Sequence, residues 1–431
     1  MIRLESKLVP VLLVVVIVVQ LLAPYKGWKI LITGLGGALL LSWLWALSLR
    51  RGLDLSRQMR FGWAQVGDRL VERFTLHNEG WAPALWAEIH DSSTLPDYRV
   101  SRGTGVGGRE IIRWHTEAIC MRRGLFTLGP TSLRSGDPFG IFSVSIDFPS
   151  SLPLLVLPPV VPLPDIQVAP GGRSGDARPR ANVLDYSVSA ASVREYVPGD
   201  SRRWIHWRTT ARQQRLFVRQ FDSTPAADWW ILLDMDRHVQ VGEAENTTDE
   251  YGVILAASLA DLGIRRRRAV GLVAQGEDLV WISPAEGEGQ RWELLRALAL
   301  VSRGSQSLEE VLGRVAPSVG RNASLLIVTP STDTRWVSRL LLLMRRDVVP
   351  TVFLLDSHSF GGAGDMGAVK TALQQLNVQH YVITRDVLDR PEVRPGRRGH
   401  WEWRVSGTGK AIAVERDHGA SHQRFAWRTL T

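Results

Sequence analysis

Residues Leu8 to Ala23 read LVPVLLVVVIVVQLLA without a single charge. After Pro24-Tyr25-Lys26-Gly27 a second apolar run extends from Trp28 to Leu49, with Lys29 at its edge. About 20 apolar residues in a helix cross a hydrocarbon core of about 30 Å. The second run meets that length and the first lies near the lower limit. So short a turn between them makes the two helices antiparallel neighbours. The expectation is a transmembrane hairpin over residues 1–52. No Ala-x-Ala cleavage site follows the first run, which argues against a removed signal peptide.

Lys and Arg in the flanks orient such a hairpin. Arg3 and Lys7 precede it, and Arg50, Arg51, Arg57 and Arg60 follow it, against Lys26 and Lys29 at the turn. This places both ends, and the soluble portion, on the cytoplasmic side of the inner (plasma) membrane. Trp28, Trp43 and Trp45 are candidate interfacial anchors. Gly34 and Ala38 form a small-xxx-small pair suited to close helix contact.

The 431 residues leave room for two soluble domains behind the anchor. Cys120 stands alone, so no intramolecular disulfide forms and no cysteine metal cluster exists. The net charge of +9 comes from basic residues scattered along the chain, with one run at Arg265 to Arg268. Without a nucleic-acid-binding motif, no nucleic-acid partner is expected; anionic lipid headgroups account for the sign equally well.

Residues 53–165 show short alternating stretches bounded by turn residues. RLVERFTL (Arg69 to Leu76), LWAEI (Leu85 to Ile89), Ile111 to Trp114 and Gly124 to Leu128 read as strands of a β-sandwich. Gly103 to Gly108 lacks the Gly-Lys-Ser/Thr ending of a phosphate loop and reads as a flexible hairpin loop. A Pro-, Gly- and Arg-rich linker is expected over 166–192. From 193 to 388 apolar strands (229–233, 269–274, 279–282, 324–329, 351–355) alternate with amphipathic helices (248–262, 290–301, 308–315, 336–344, 368–376). Such alternation predicts a doubly wound, mostly parallel α/β sheet covered on both faces. Residues 389–431 form a basic tail rich in Arg, Gly and Trp.

The densest cluster of charged and aromatic residues is VREYVPGDSRRWIHWRTTARQQRLFVRQF, Val193 to Phe221. It resembles the signature of a widespread bacterial family, domain of unknown function 58, through Arg194, Glu195, Tyr196, Pro198, Gly199, Asp200, Arg203, Ile205, Trp207, Ala211 and Arg212. Arg123-Gly124, Gly129-Pro130 and Asp137-Pro138-Phe139-Gly140 are similar to that family's upstream segment. Opposite charges around the Pro198-Gly199-Asp200 turn are expected to lock it. Arg and Trp, enriched at interaction hot spots, suit a protein-binding surface, and Asp200 with His206 is a candidate acid/base pair. Asp234-Met235-Asp236-Arg237-His238, after the first α/β strand, looks like the start of a von Willebrand factor A-type domain. In that fold Asp-x-Ser-x-Ser contributes to a divalent-metal site; here the serines are Asp236 and His238. Asp234, Asp236 and Asp333 are the candidate ligands of a degenerate site for Mg²⁺, and no other cofactor is expected.

The resemblance implies a membrane-tethered, non-enzymatic scaffold. It works with a MoxR-type AAA+ ATPase in assembling or activating a client protein. The alternatives are a Mg²⁺-dependent enzyme acting through those carboxylates and a sensor of the lipid surface.

Overall fold

The computed structural model describes residues 1–163, 166–169, 192–197, 205–220, 228–243, 246–320 and 323–388, plus the backbone of strands at 401–405 and 411–415. For 192–194 and 219–220 the backbone alone is described.

Strand β1 (Ile2–Leu4) precedes two helices, α1 (Leu8–Leu22) and α2 (Lys26–Gly52), which pack along one another. Of the two expected spans, α2 is the one described helix long and apolar enough to cross a membrane; α1 has 15 residues. Gly34 does not mediate their approach, because nothing lies within 4 Å of a Cβ built on it. The last turns of α2 behave differently. Ser42, Ala46 and Leu49 are buried against the strand-rich region, and Trp45 Nε1 donates to Pro83 O at 3.1 Å. Trp45 is therefore a docking residue rather than a lipid anchor.

That region contains β2 (Leu53–Met59), β3 (Trp63–Gln65), β4 (Arg69–Asn78), β5 (Ala84–Asp91), β6 (Arg102–Val106), β7 (Ile111–Ile119), β8 (Gly124–Leu128), β9 (Thr131–Gly136), β10 (Phe142–Phe148) and β11 (Leu152–Leu157). They form sheets ordered β1-β10-β9-β5-β6, β2-β4-β7 and β3-β11-β8 around one apolar core. Strand β4 shows why: its residues alternate exposed and buried, sending Leu70, Phe74 and Leu76 inward. Gly103 to Val106 lies in edge strand β6 instead of a free loop. Gly105 lets that strand close on β5, where an added Cβ would sit 2.9 Å from Leu85 O. Arg57, counted above among the orienting charges, is buried here. It pairs with Glu72 at 3.2 Å and Asp91 at 2.9 Å. β2 is a strand of the sandwich, and Leu53, Leu55 and the Arg57 side chain face its core rather than a membrane flank.

Strand β12 (Ser192–Glu195), helix α3 (Trp207–Gln213) and strand β13 (Phe217–Gln220) come next in the chain. The α/β portion then contains β14 (Trp229–Leu233), β15 (Gly242–Glu243), β16 (Asn246–Thr247), α4 (Thr248–Arg265), β17 (Val270–Gln275), β18 (Leu279–Ala285), α5 (Glu288–Leu300) and α6 (Leu308–Val315). It continues with β19 (Ser324–Thr329), α7 (Arg335–Met344), β20 (Val349–Leu355), α8 (Gly367–Gln375), β21 (Gln379–Ile383) and α9 (Arg385–Leu388). A six-stranded sheet runs β18-β17-β14-β19-β20-β21, parallel except for β18. Successive side chains of β14 serve opposite faces. Trp229, Ile231 and Leu233 join the core under α4 and α5, and Trp230 and Leu232 join the core under α6, α7 and α8. In the tail, β22 (Trp401–Val405) and β23 (Ala411–Glu415) make an antiparallel hairpin.

The strand-rich and α/β portions are fastened together. Arg123 donates from Nε to Leu298 O (3.1 Å) and from Nη2 to Val301 O (2.9 Å), while Nη1 pairs with Glu250. A guanidinium at the carboxyl end of α5 satisfies carbonyls that have no helical partner. Trp63 packs edge-to-face on Trp292 of α5. The first four residues of the expected linker are also docked: Ala169 N donates to Thr351 Oγ1, and Ser324 Oγ donates to Ala169 O. Residues 170–191 lie outside the described residues.

Candidate functional site

The described part of the signature segment is a hairpin carrying a short helix. β12 and β13 pair antiparallel, with Arg194 opposite Val218 and Glu195 opposite Phe217. Ile205 bridges to Val218, and both are buried. His206 caps α3: its Nδ1 accepts from Thr209 N at 3.2 Å and lies 2.7 Å from Thr209 Oγ1. This use of Nδ1 makes the imidazole a helix cap. Glu195 pairs with Arg215 at 3.5 Å on the surface, and Tyr196 is half-buried. No residue of α3 is buried, and Trp207 is 68% exposed with Arg212 exposed one turn further on. Pro198, Gly199, Asp200 and Arg203 lie outside the described residues.

The acidic loop lies where α/β sheets place ligands. From central β14 the chain goes first to β17 on one side and later to β19 on the other, so the order reverses between β14 and β19. Crevices at the carboxyl ends of strands at such a reversal are the usual binding sites. Asp234 directly follows β14, and Thr329 ends β19. Thr329 Oγ1 donates to Asp234 Oδ2 at 2.6 Å and accepts from Ser331 N at 2.9 Å. Asp236 N donates to Asp234 Oδ1 at 3.1 Å. Asp236 Oδ1 accepts from His238 N at 3.1 Å, with His238 Nδ1 at 2.8 Å. Gly304 braces the loop: its N–H donates to Met235 O, and its carbonyl accepts from Arg237 N. Burial pushes the Asp234 carboxyl up to about 6, against the pull of its two hydrogen bonds.

The expected three-carboxylate set does not assemble. Asp333 is ion-paired with Arg335, and the Arg335 backbone N–H, followed by its guanidinium, holds the Asp333 carboxyl below the usual range. Among the described residues no group of three or more His, Cys, Asp or Glu side chains is placed to hold a metal ion. The oxygen donors that do meet are Asp234, Asp236 and the Thr329 hydroxyl. Both Asp234 oxygens already accept hydrogen bonds, and His238 engages Asp236. A hard cation here would meet few unengaged protein oxygens and would keep most of its coordination shell as water. Thr329 was not singled out from sequence, although a hydroxyl closing the apolar run SLLIVT beside Pro330 is its visible signal.

A buried acidic loop at the strand-order reversal of a helix-covered sheet, in a chain with one N-terminal helix long and apolar enough to cross a membrane, defines an α/β protein whose N-terminus fits a membrane anchor. The profile of the family described as "Protein of unknown function DUF58" matches residues 192–430, more than half of the chain, and the chain belongs to that family. Uncharacterized protein YeaD of Bacillus subtilis (strain 168) is 26% identical over 299 residues, 66% of this chain and 72% of the relative. Uncharacterized protein Rv1480 of Mycobacterium tuberculosis (strain ATCC 25618 / H37Rv) is 24% identical over 169 residues, 38% of this chain and 53% of the relative. Among solved structures, an aerotolerance-related membrane protein from Bacteroides fragilis NCTC 9343 overlaps 37% of this chain and 93% of its own at 14% identity, TM-score 0.28. The SpRpn10 VWA domain overlaps 37% of this chain and 88% of its own at 11% identity, TM-score 0.28.

Proposed function

We propose that the protein is a two-pass membrane scaffold that holds a von Willebrand factor A-like sheet at the cytoplasmic surface for another protein to engage. One observation carries this reading: both ends of the helix pair attach to the same sandwich. β1, before α1, pairs with β10, and β2, directly after α2, pairs with β4. A chain that leaves and returns to one body keeps both helix ends on one side. The Arg123 contacts extend that rigidity to the α/β sheet. In this reading the chain performs no turnover of its own. The exposed face of α3 with Trp207 and Arg212 docks a MoxR-type AAA+ ATPase, which acts on a client protein.

The full chain, purified in mild detergent, is expected to retain such an ATPase. Trp207→Ala and Arg212→Ala are expected to reduce the retained ATPase about tenfold, as truncation of hot-spot residues does. Both side chains are exposed, so the melting temperature stays unchanged. Undiminished retention in both variants would sink α3 as the docking face.

A further inference from the structure

The geometry points to a second membrane contact outside the helices: an apolar rim on one end of the sandwich, seated in the headgroup region of the bilayer. Three connections meet at the end where the helices enter, each tied to them or to its neighbour by hydrogen bonds from its backbone or to it. The β9–β10 turn receives Glu5 N and Ser6 N on Ile141 O at 2.8 and 3.3 Å, directly before α1. The β4–β5 connection gives Glu79 N to Gly52 O at 2.8 Å and Ala82 N to Ser48 Oγ at 3.3 Å, at the end of α2. The β6–β7 turn gives Arg109 N to Gly80 O at 3.1 Å.

Large apolar side chains crowd this end while remaining open to solvent. Leu4, Trp81, Leu85, Trp86 and Phe139 are each 42–60% exposed. The strand register gathers them: Leu4 lies opposite Phe142, Gly136 opposite Ser143, and Ser135 opposite Ala87, the residue after Trp86. A rim of this kind on a soluble face is costly in water. Here it is continuous with a helix long and apolar enough to cross a membrane.

Phe139 is held outward by a built turn. The buried Asp137 carboxylate accepts from Phe139 N at 2.9 Å and Phe142 N at 2.6 Å, and Gly140 takes φ +66°. Lys7 and Arg109 are exposed at the same end, where anionic headgroups would meet them. Aromatic side chains prefer this interfacial depth. The rim would fix the tilt of the sandwich, a constraint that two helices alone leave free.

The inference rests on the membrane reading above, and its test separates the two. Cys120 is fully buried and its thiol is pushed up to about 11, so an added surface cysteine is labelled selectively. The full chain carries Phe139→Cys, Leu31→Cys in α2 or Glu117→Cys at the far end of β7, each labelled with a nitrobenzoxadiazole dye. Each is reconstituted in phosphatidylcholine/phosphatidylglycerol vesicles with and without brominated acyl chains. Labels at 31 and 139 are expected to emit at shorter wavelength and lose about half their intensity to bromolipid, while the label at 117 is unaffected. Quenching at 31 with none at 139 overturns the rim and leaves the helix anchor standing. Quenching at neither position overturns both.

Discussion

Replacing Arg57 by Met lowers the stability of the sandwich by roughly 3–5 kcal/mol, the usual result of removing one partner from a buried ionic cluster. Glu72 is fully buried, and the side chains of Asp91 and Arg57 are nearly so. Arg57 is the cation between the two carboxylates and also lies over the Phe74 ring at 5.1 Å. Tyr98 donates its hydroxyl to Glu72, and Ser93 and Thr131 donate to Asp91. Methionine keeps the stem's packing and removes the charge, leaving two carboxylates desolvated together. Burial already raises the Glu72 carboxyl in the native protein, opposed by Tyr98 and Arg57. In the variant that opposition weakens, so the folded state takes up protons at higher pH than the unfolded state. The lost stability is therefore partly recovered as pH falls and is most evident above neutrality. Thermal melts in detergent at about pH 5 and about pH 8 read this directly. A variant melting with the parent at both values would show that the cluster is not the keystone of the sandwich.

The second substitution acts in the opposite direction. Asp234→Asn is expected to raise stability by about 2 kcal/mol at about pH 8 and to change little at about pH 4. Burial raises the folded carboxyl from 3.8 to about 6, so the native state binds the proton more tightly than the unfolded chain. The parent consequently loses stability as pH rises from about 4 to about 6 and stays at the lower value above that. Asparagine carries no charge to desolvate. Its amide must face one of the two donors, Thr329 Oγ1 or Asp236 N, which holds the gain below the full shift. A melting curve for Asp234→Asn that falls below the parent at pH 8 would mean that the carboxylate is compensated.

Periodicity made the α/β elements legible. β14, β19 and α6 occupy the ranges their apolar patterns predict, because strands covered on both faces must be apolar throughout. What sequence could not supply is long-range pairing. β1 is three residues long and becomes a strand by pairing with β10, 140 positions away by register. Arg57 reads as a flanking charge because nothing local reveals Glu72 and Asp91. Gly103 to Gly108 reads as a loop because glycine signals flexibility locally, whereas Gly105 answers to the carbonyl of Leu85. At the acidic loop, Asp234 and Asp236 are evident after an apolar strand. Asp333 is as prominent in sequence, but Arg335 two residues on takes its charge. Thr329 becomes visible only once β19 lies beside β14.

Sided labelling tests the central claim, that both ends of the helix pair face the cytoplasm with the soluble portion. Single cysteines are placed by Tyr25→Cys in the exposed turn, Arg3→Cys before α1 and Glu117→Cys on the sandwich, with buried Cys120 silent. A membrane-impermeant maleimide applied to intact cells is expected to label position 25 alone, and positions 3 and 117 only after permeabilisation. Labelling of 117 in intact cells, or of 3 but not 117, would contradict the two-pass cytoplasmic scaffold outright.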